Sequence, residues 1–138
     1  GLMTHNYYLY NDPIMGKLRW IVWDNNESFQ SGNGPRSALP FAMNTTTTDW
    51  PLINFLINDA TYEATYKSYV KSFASSTFAT SRMSGIFSAQ QSLLSSSASN
   101  EESGYTYLTG GISSFNSAVN TLISHNSSRV SAANTYAP

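Results

Sequence analysis

The hydrophobic rhythm of the chain changes once, near residue 49. Before that point, Tyr7 to Tyr10 and Lys17 to Trp23 are rich in aromatic and β-branched residues. They bracket the breaker run Asn11-Asp12-Pro13-Ile14-Met15-Gly16, a pattern that predicts two strands and a turn. In the second strand Leu18, Trp20 and Val22 alternate with Arg19, Ile21 and Trp23, so both faces are largely apolar. A two-stranded hairpin of this kind is marginal in water and needs a body to lie on. Residues 30–48, with Gly32, Gly34, Pro35, Pro40 and four threonines, read as loop.

After residue 49 the period becomes helical. Asp49 precedes Trp50-Pro51, a helix start with proline in the first turn, and Leu52, Phe55 and Leu56 follow on one face. Asp59 is the expected cap of a second helix, whose stripe Tyr62, Tyr66, Tyr69, Val70 and Phe73 predicts a buried face. A third helix is expected from Thr80-Ser81, with Met83, Ile86, Phe87, Gln90, Leu93 and Leu94 as its stripe, ended by the run Ser95 to Asn100. Beyond Gly104 and Gly110-Gly111, Ile112, Phe115, Val119, Leu122 and Ile123 mark a fourth helix, and Ser127 to Ala133 a short fifth. The predicted fold is mainly α with a small N-terminal β-hairpin. It forms one domain over 1–138, divided into a hairpin (1–29), a loop (30–48) and a helical part (49–138).

Composition narrows the partners. Only 11% of the 138 residues are charged, against about 25% in an average domain, and Ser, Thr and Asn do the solvating instead. The formal net charge of −1 gives no concentrated basic patch for a phosphate backbone, so nucleic acid is not expected as a partner. The absence of cysteine excludes disulfides and cysteine-based zinc sites. No run reaches the 18 or so apolar residues of a membrane span, and Gly1-Leu2-Met3 does not open a signal peptide. The neutral, hydroxyl- and amide-rich surface suits an extracytoplasmic or secreted protein, and an exposed apolar hairpin invites self-association into a homo-oligomer.

The candidate chemistry lies in the opening stretch. Asn6 opens the first strand and Asp24 closes the second, and a hairpin sets those two ends side by side. An amide oxygen beside a carboxylate is a hard-oxygen pair suited to Mg²⁺, which takes one or two protein ligands and completes its shell with water and phosphates. Protein kinases place an Asn, a hairpin and a metal-holding Asp in that order. The plainer reading of Asp24 is a turn residue, since Asp-Asn-Asn is good turn chemistry.

"HNYYLYNDPIMGKLRWIVWDNNESF" resembles a segment of the CotH-type kinases, spore-coat protein H and its relatives. "PLINFLINDATYEATYKSYVKSF" and "LISHNSSRVSAANTY" are similar to that family's leucine–tyrosine helix and to its closing helix with a central arginine. The resemblance runs along the whole chain and implies the C-terminal portion of an atypical protein-kinase-like fold. It implies transfer of phosphate from ATP, with Mg²⁺ or Mn²⁺, to Ser or Thr of a secreted or spore-coat protein. Asp24 falls on the family's metal-holding Asp, Asn6 on the HN position, and Asn26 on a position that is Asp or Asn in relatives and assists through its amide. The sequence departs from the pattern at Val22 (proline in the family), Asn25 (leucine) and Gln30 (glycine). A kinase-type base lies roughly five residues before the Asn, a place held here by Gly1. The base is therefore either upstream of Asn6, where it and the nucleotide-gripping Lys–Glu pair are expected, or missing. The rival class is a non-catalytic surface or coat module that binds a protein partner.

Other features have structural explanations. His5 is expected to be a hydrogen-bonded strand-start residue rather than a catalytic one, and His125 a surface or capping residue near a helix boundary. The tyrosine stripe reads as core with hydroxyls reaching outward, with a carbohydrate platform as the alternative. Asp59 and Glu63 read as a helix cap and a first-turn acid, and Glu101-Glu102 as a solvated charge pair. The glycosylation-type triplets at Asn26, Asn44 and Asn126 are expected by chance in so Asn/Ser/Thr-rich a chain. Ser31-Gly32-Asn33-Gly34 lacks the Lys-Ser/Thr of a P-loop, and no Ser-His-Asp set supports a hydrolase.

Overall fold

Strand β1 (Tyr7–Asp12) and strand β2 (Lys17–Val22) form a two-stranded antiparallel sheet. The computed structural model describes residues 7–25, 28–29, 39–44, 49–102, 104–106 and 108–138. The chain divides into two compact units, 1–40 and 41–138, which are taken separately. In the first, the register runs from Tyr7↔Val22 through Leu9↔Trp20 to Asp12↔Lys17. Alternation therefore puts Tyr7, Leu9, Leu18, Trp20 and Val22 on one face, and Tyr8, Tyr10, Asp12, Arg19 and Ile21 on the other. Tyr7 stacks on Trp20 at a centroid distance of 4.0 Å, the kind of cross-strand aromatic pair that stabilises a sheet. β1 extends two residues further than predicted, because Asn11 and Asp12 join the ladder before the turn begins.

The second unit is helical: α1 (Pro51–Asn58), α2 (Ala60–Ser75), α3 (Thr80–Ser99) and α4 (Ile112–Tyr136). Pro51 occupies the first turn of α1 as predicted, and Asp59 caps α2 by accepting from the Thr61 and Tyr62 N–H groups. α3 does not stop at the serine run. Ser95 and Ser99 hydroxyls bond back to the carbonyls of Gln91 and Ser95, so serines that would compete with a helix are satisfied inside it. Asn100 ends the helix.

The predicted fourth and fifth helices are one continuous α4, so the described residues hold four helices and not five. The expected break fell between Ile123 and Ser127, yet Asn126 in that interval points inward, 1% exposed, and its Nδ2 donates to Phe78 O at 2.9 Å. Gln91 Nε2 donates to Asn116 Oδ1 at 2.8 Å. These two ties, made in opposite chain order, show α3 and α4 to be an antiparallel pair. Gly111 starts α4 at φ 59°, a backbone region that glycine enters without a Cβ penalty.

The core is thin and made of small residues: Val70 and Ala74 of α2 pack with Ala133 and Ala137, flanked by Phe41, Tyr66 and Tyr136. This corrects the predicted stripe of α2. Of that stripe Val70 is buried and Tyr66 half-buried, in line with the buried Ala74, whereas Tyr62, Tyr69 and Phe73 are exposed. Tyr62 instead meets Phe55, and Phe73 stacks on Phe78 at 5.3 Å. The stripe of α3 likewise holds no buried residue, with Leu93 72% exposed. Among the described residues no helix is long and apolar enough to cross a membrane.

Candidate functional site

The sequence at the turn of the hairpin fixes its geometry. Asp12 Oδ1 accepts from the N–H groups of Ile14 (2.9 Å) and Met15 (3.1 Å), and its Oδ2 pairs with Arg19 Nε at 2.5 Å. Gly16 closes the turn at φ 60°, its N–H donating to Asp12 O at 2.9 Å. The Met15 N–H holds the Asp12 carboxyl below its usual value of 3.8 against the opposing effect of burial, with Ile14 N–H and Arg19 adding to it. Sequence reasoning placed Asp12 among generic turn breakers and missed this role. The available signal was an Asp just ahead of a Pro-containing turn, with Lys17 and Arg19 returning on the next strand.

At the opposite end, β2 stops at Val22 and the chain continues through Trp23, Asp24 and Asn25. Trp23 meets Tyr8 edge-on at 6.1 Å, which holds the segment that carries Asp24. Asp24 is exposed and adopts φ 52°, a left-handed conformation that Asp tolerates better than most residues. It turns the chain out of the ladder and ends the strand. Of the predicted metal ligands, Asp24 falls among the described residues; Asn6 and Asn26 lie outside them, as do His5, Gly1 and the Gly32–Gly34 stretch. Among the described residues no group of three or more His, Asp or Glu is placed to hold a metal. A single exposed carboxylate fits the Mg²⁺ pattern of one or two protein ligands completed by phosphates and water.

The remaining candidates are structural. Asp59 spends its carboxylate on the cap of α2, and Glu63 pairs with Lys67 at 2.9 Å, so the two do not form a paired-carboxylate site. Both glutamates at 101–102 are exposed. His125 sits within α4 rather than at a helix boundary; burial, then the charge of Arg129, pushes it below its ordinary value. Arg129 lies over the Phe41 ring at 4.3 Å, a cation–π contact. Asn126 is too buried to accept a glycan in the folded chain. A shallow groove of about 440 Å³ between Pro51, Asn54, Phe55, Asn58 and Asp59 contains none of the predicted ligands.

The described residues form a mainly helical protein with a small two-stranded antiparallel hairpin, and Asp24 is exposed just beyond its second strand. The chain matches the CotH kinase protein family over residues 2–132, and it belongs to that family. No curated protein and no solved structure matches it.

Proposed function

We propose that this chain is the C-terminal part of a kinase-like domain that transfers phosphate from ATP to Ser or Thr of a secreted or spore-coat protein. The observation that carries the reading is Asp24, exposed at the end of an aromatic-braced strand, in a chain whose family is named for kinase chemistry. Its carboxylate would hold Mg²⁺ or Mn²⁺ against the nucleotide phosphates, with the amides of Asn6 and, more weakly, Asn26 assisting. When bound, the cation supplies neutralisation of charge at the phosphates. The protein's own work is positional: the hairpin sets the carboxylate. A coat or extracytoplasmic setting accords with the neutral, low-charge surface.

A non-catalytic partner-binding module is the second reading, favoured by the exposed apolar residues Leu18, Trp20 and Val22 on one face of the hairpin. Calorimetry with Mn²⁺ and ATP separates the two. The kinase reading predicts binding to the wild-type chain that is lost in Asp24→Ala. Binding unchanged in Asp24→Ala would remove Asp24 from the site, and no binding by the wild type would leave either a site completed by the upstream lobe or the partner-binding module, which the same titration with that lobe present decides.

A further inference from the structure

The hairpin poses a problem of register. Apolar side chains cover both of its faces, Leu9, Leu18, Trp20 and Val22 on one, Tyr8, Tyr10 and Ile21 on the other. Register is strongly specified where one face is buried and the other polar, and weakly where the two faces are alike. Shifting this ladder by one residue would exchange one apolar face for another, so the strand pattern discriminates poorly between alignments. Turn chemistry must then set the alignment.

One residue supplies that chemistry. Asp12 is 7% exposed within an otherwise open hairpin, and its carboxylate gathers the N–H groups of Ile14 and Met15 together with the Arg19 guanidinium. With Gly16 N–H donated to Asp12 O and Pro13 having none to donate, every backbone donor between Pro13 and Gly16 is satisfied through Asp12. Arg19 reaches Asp12 from β2, so the same carboxylate ties the turn to the returning strand.

We infer that Asp12 is a positioning residue: it locks the β1–β2 register and thereby sets where Asp24 stands at the far end of the hairpin. A slip of one residue would move Asp24 by about 3.4 Å relative to β1 and turn the side chains of β2 to the opposite face. This displacement exceeds the tolerance of a metal-centred site. The inference rests, for its functional meaning, on the metal reading of Asp24.

The test is NMR on the full 138-residue chain. In the wild type, cross-strand NOEs connect Tyr8 with Ile21 and Tyr10 with Arg19. In Asp12→Ala those NOEs are lost or replaced by a set shifted by one residue, while the signals of α2 to α4 stay in place. Asp12→Asn keeps an oxygen for the Ile14 and Met15 N–H groups and retains the native set. Mn²⁺ affinity in the presence of ATP falls by about tenfold in Asp12→Ala, the scale seen when the support of a metal ligand is removed, and returns in Asp12→Asn. An Asp12→Ala chain that keeps the native NOEs overturns the inference, as does loss of the helical signals along with the hairpin's. A wild-type chain that binds no Mn²⁺ counts against the metal reading, while the NOEs still decide the register lock.

Discussion

At residue scale, the informative side chains are polar groups removed from water. Asp12 shows what such a group does when it is fully used: three donors converge on one carboxylate. Its pH dependence has a definite sign. The carboxyl titrates below 3.8 in the folded chain, so its contribution to hairpin stability is complete above about 3.8 and is lost as pH falls through the folded value. Arg19 and Lys17 face it from β2, and Tyr10 precedes it on its own strand. Near-UV circular dichroism of the Tyr7–Trp20 stack should therefore hold steady from pH 7 to pH 4 and fade only below it. Asp12→Asn, with no charge to lose, should flatten that transition. Asn126 is the contrasting case: its Nδ2 reaches Phe78 O, while its Oδ1 is buried and finds no hydrogen-bond donor among the described residues.

At the scale of elements, caps and turns were more legible in the sequence than faces. Asp59 was readable as a cap because Asp before a helical period has one strong use, and Pro51 and the Asn11–Gly16 breakers were equally local signals. The stripe of α2 was misread because aromatic residues at helical spacing look like core. The space against α4 admits small side chains, Ala74 beside Ala133 and Ala137, and the rings of Tyr62 and Phe73 pair with local neighbours instead. The continuity of α4 was hidden because the polar stretch Ser124-His125-Asn126 has the composition of a break, and only the hydrogen bond to Phe78 O, just ahead of α3, shows Asn126 to be an inward position. Asp59 gives the element-scale prediction. Asp59→Ala removes both N-terminal acceptor bonds of α2 and should lower stability by about 1 kcal/mol, measured by urea denaturation followed at 222 nm. Asp59→Asn should recover most of that loss.

At the scale of the whole molecule, the described residues of the helical unit include few buried side chains, most of them small, and the hairpin leaves aromatic and aliphatic groups on its surface. With a formal net charge of −1, little electrostatic repulsion keeps such surfaces apart. The chain belongs to the CotH kinase protein family, and the metal role proposed for Asp24 would give the hairpin a reason to be stiff, since a metal-holding carboxylate must be kept in place. The Asp24 end of the hairpin was only partly legible. Asp24 could be found from its position after an aromatic strand, whereas its left-handed backbone and the Asp12 lock at the other end depend on how the turn folds. The most direct measurement is paramagnetic broadening of the amide signals by Mn²⁺ in the presence of ATP. The metal reading predicts that Trp23, Asp24 and Asn25 broaden first and Ile14 to Gly16 last, with the effect abolished by Asp24→Ala. Broadening centred elsewhere, as at Glu101 and Glu102, or unchanged in Asp24→Ala, would contradict it.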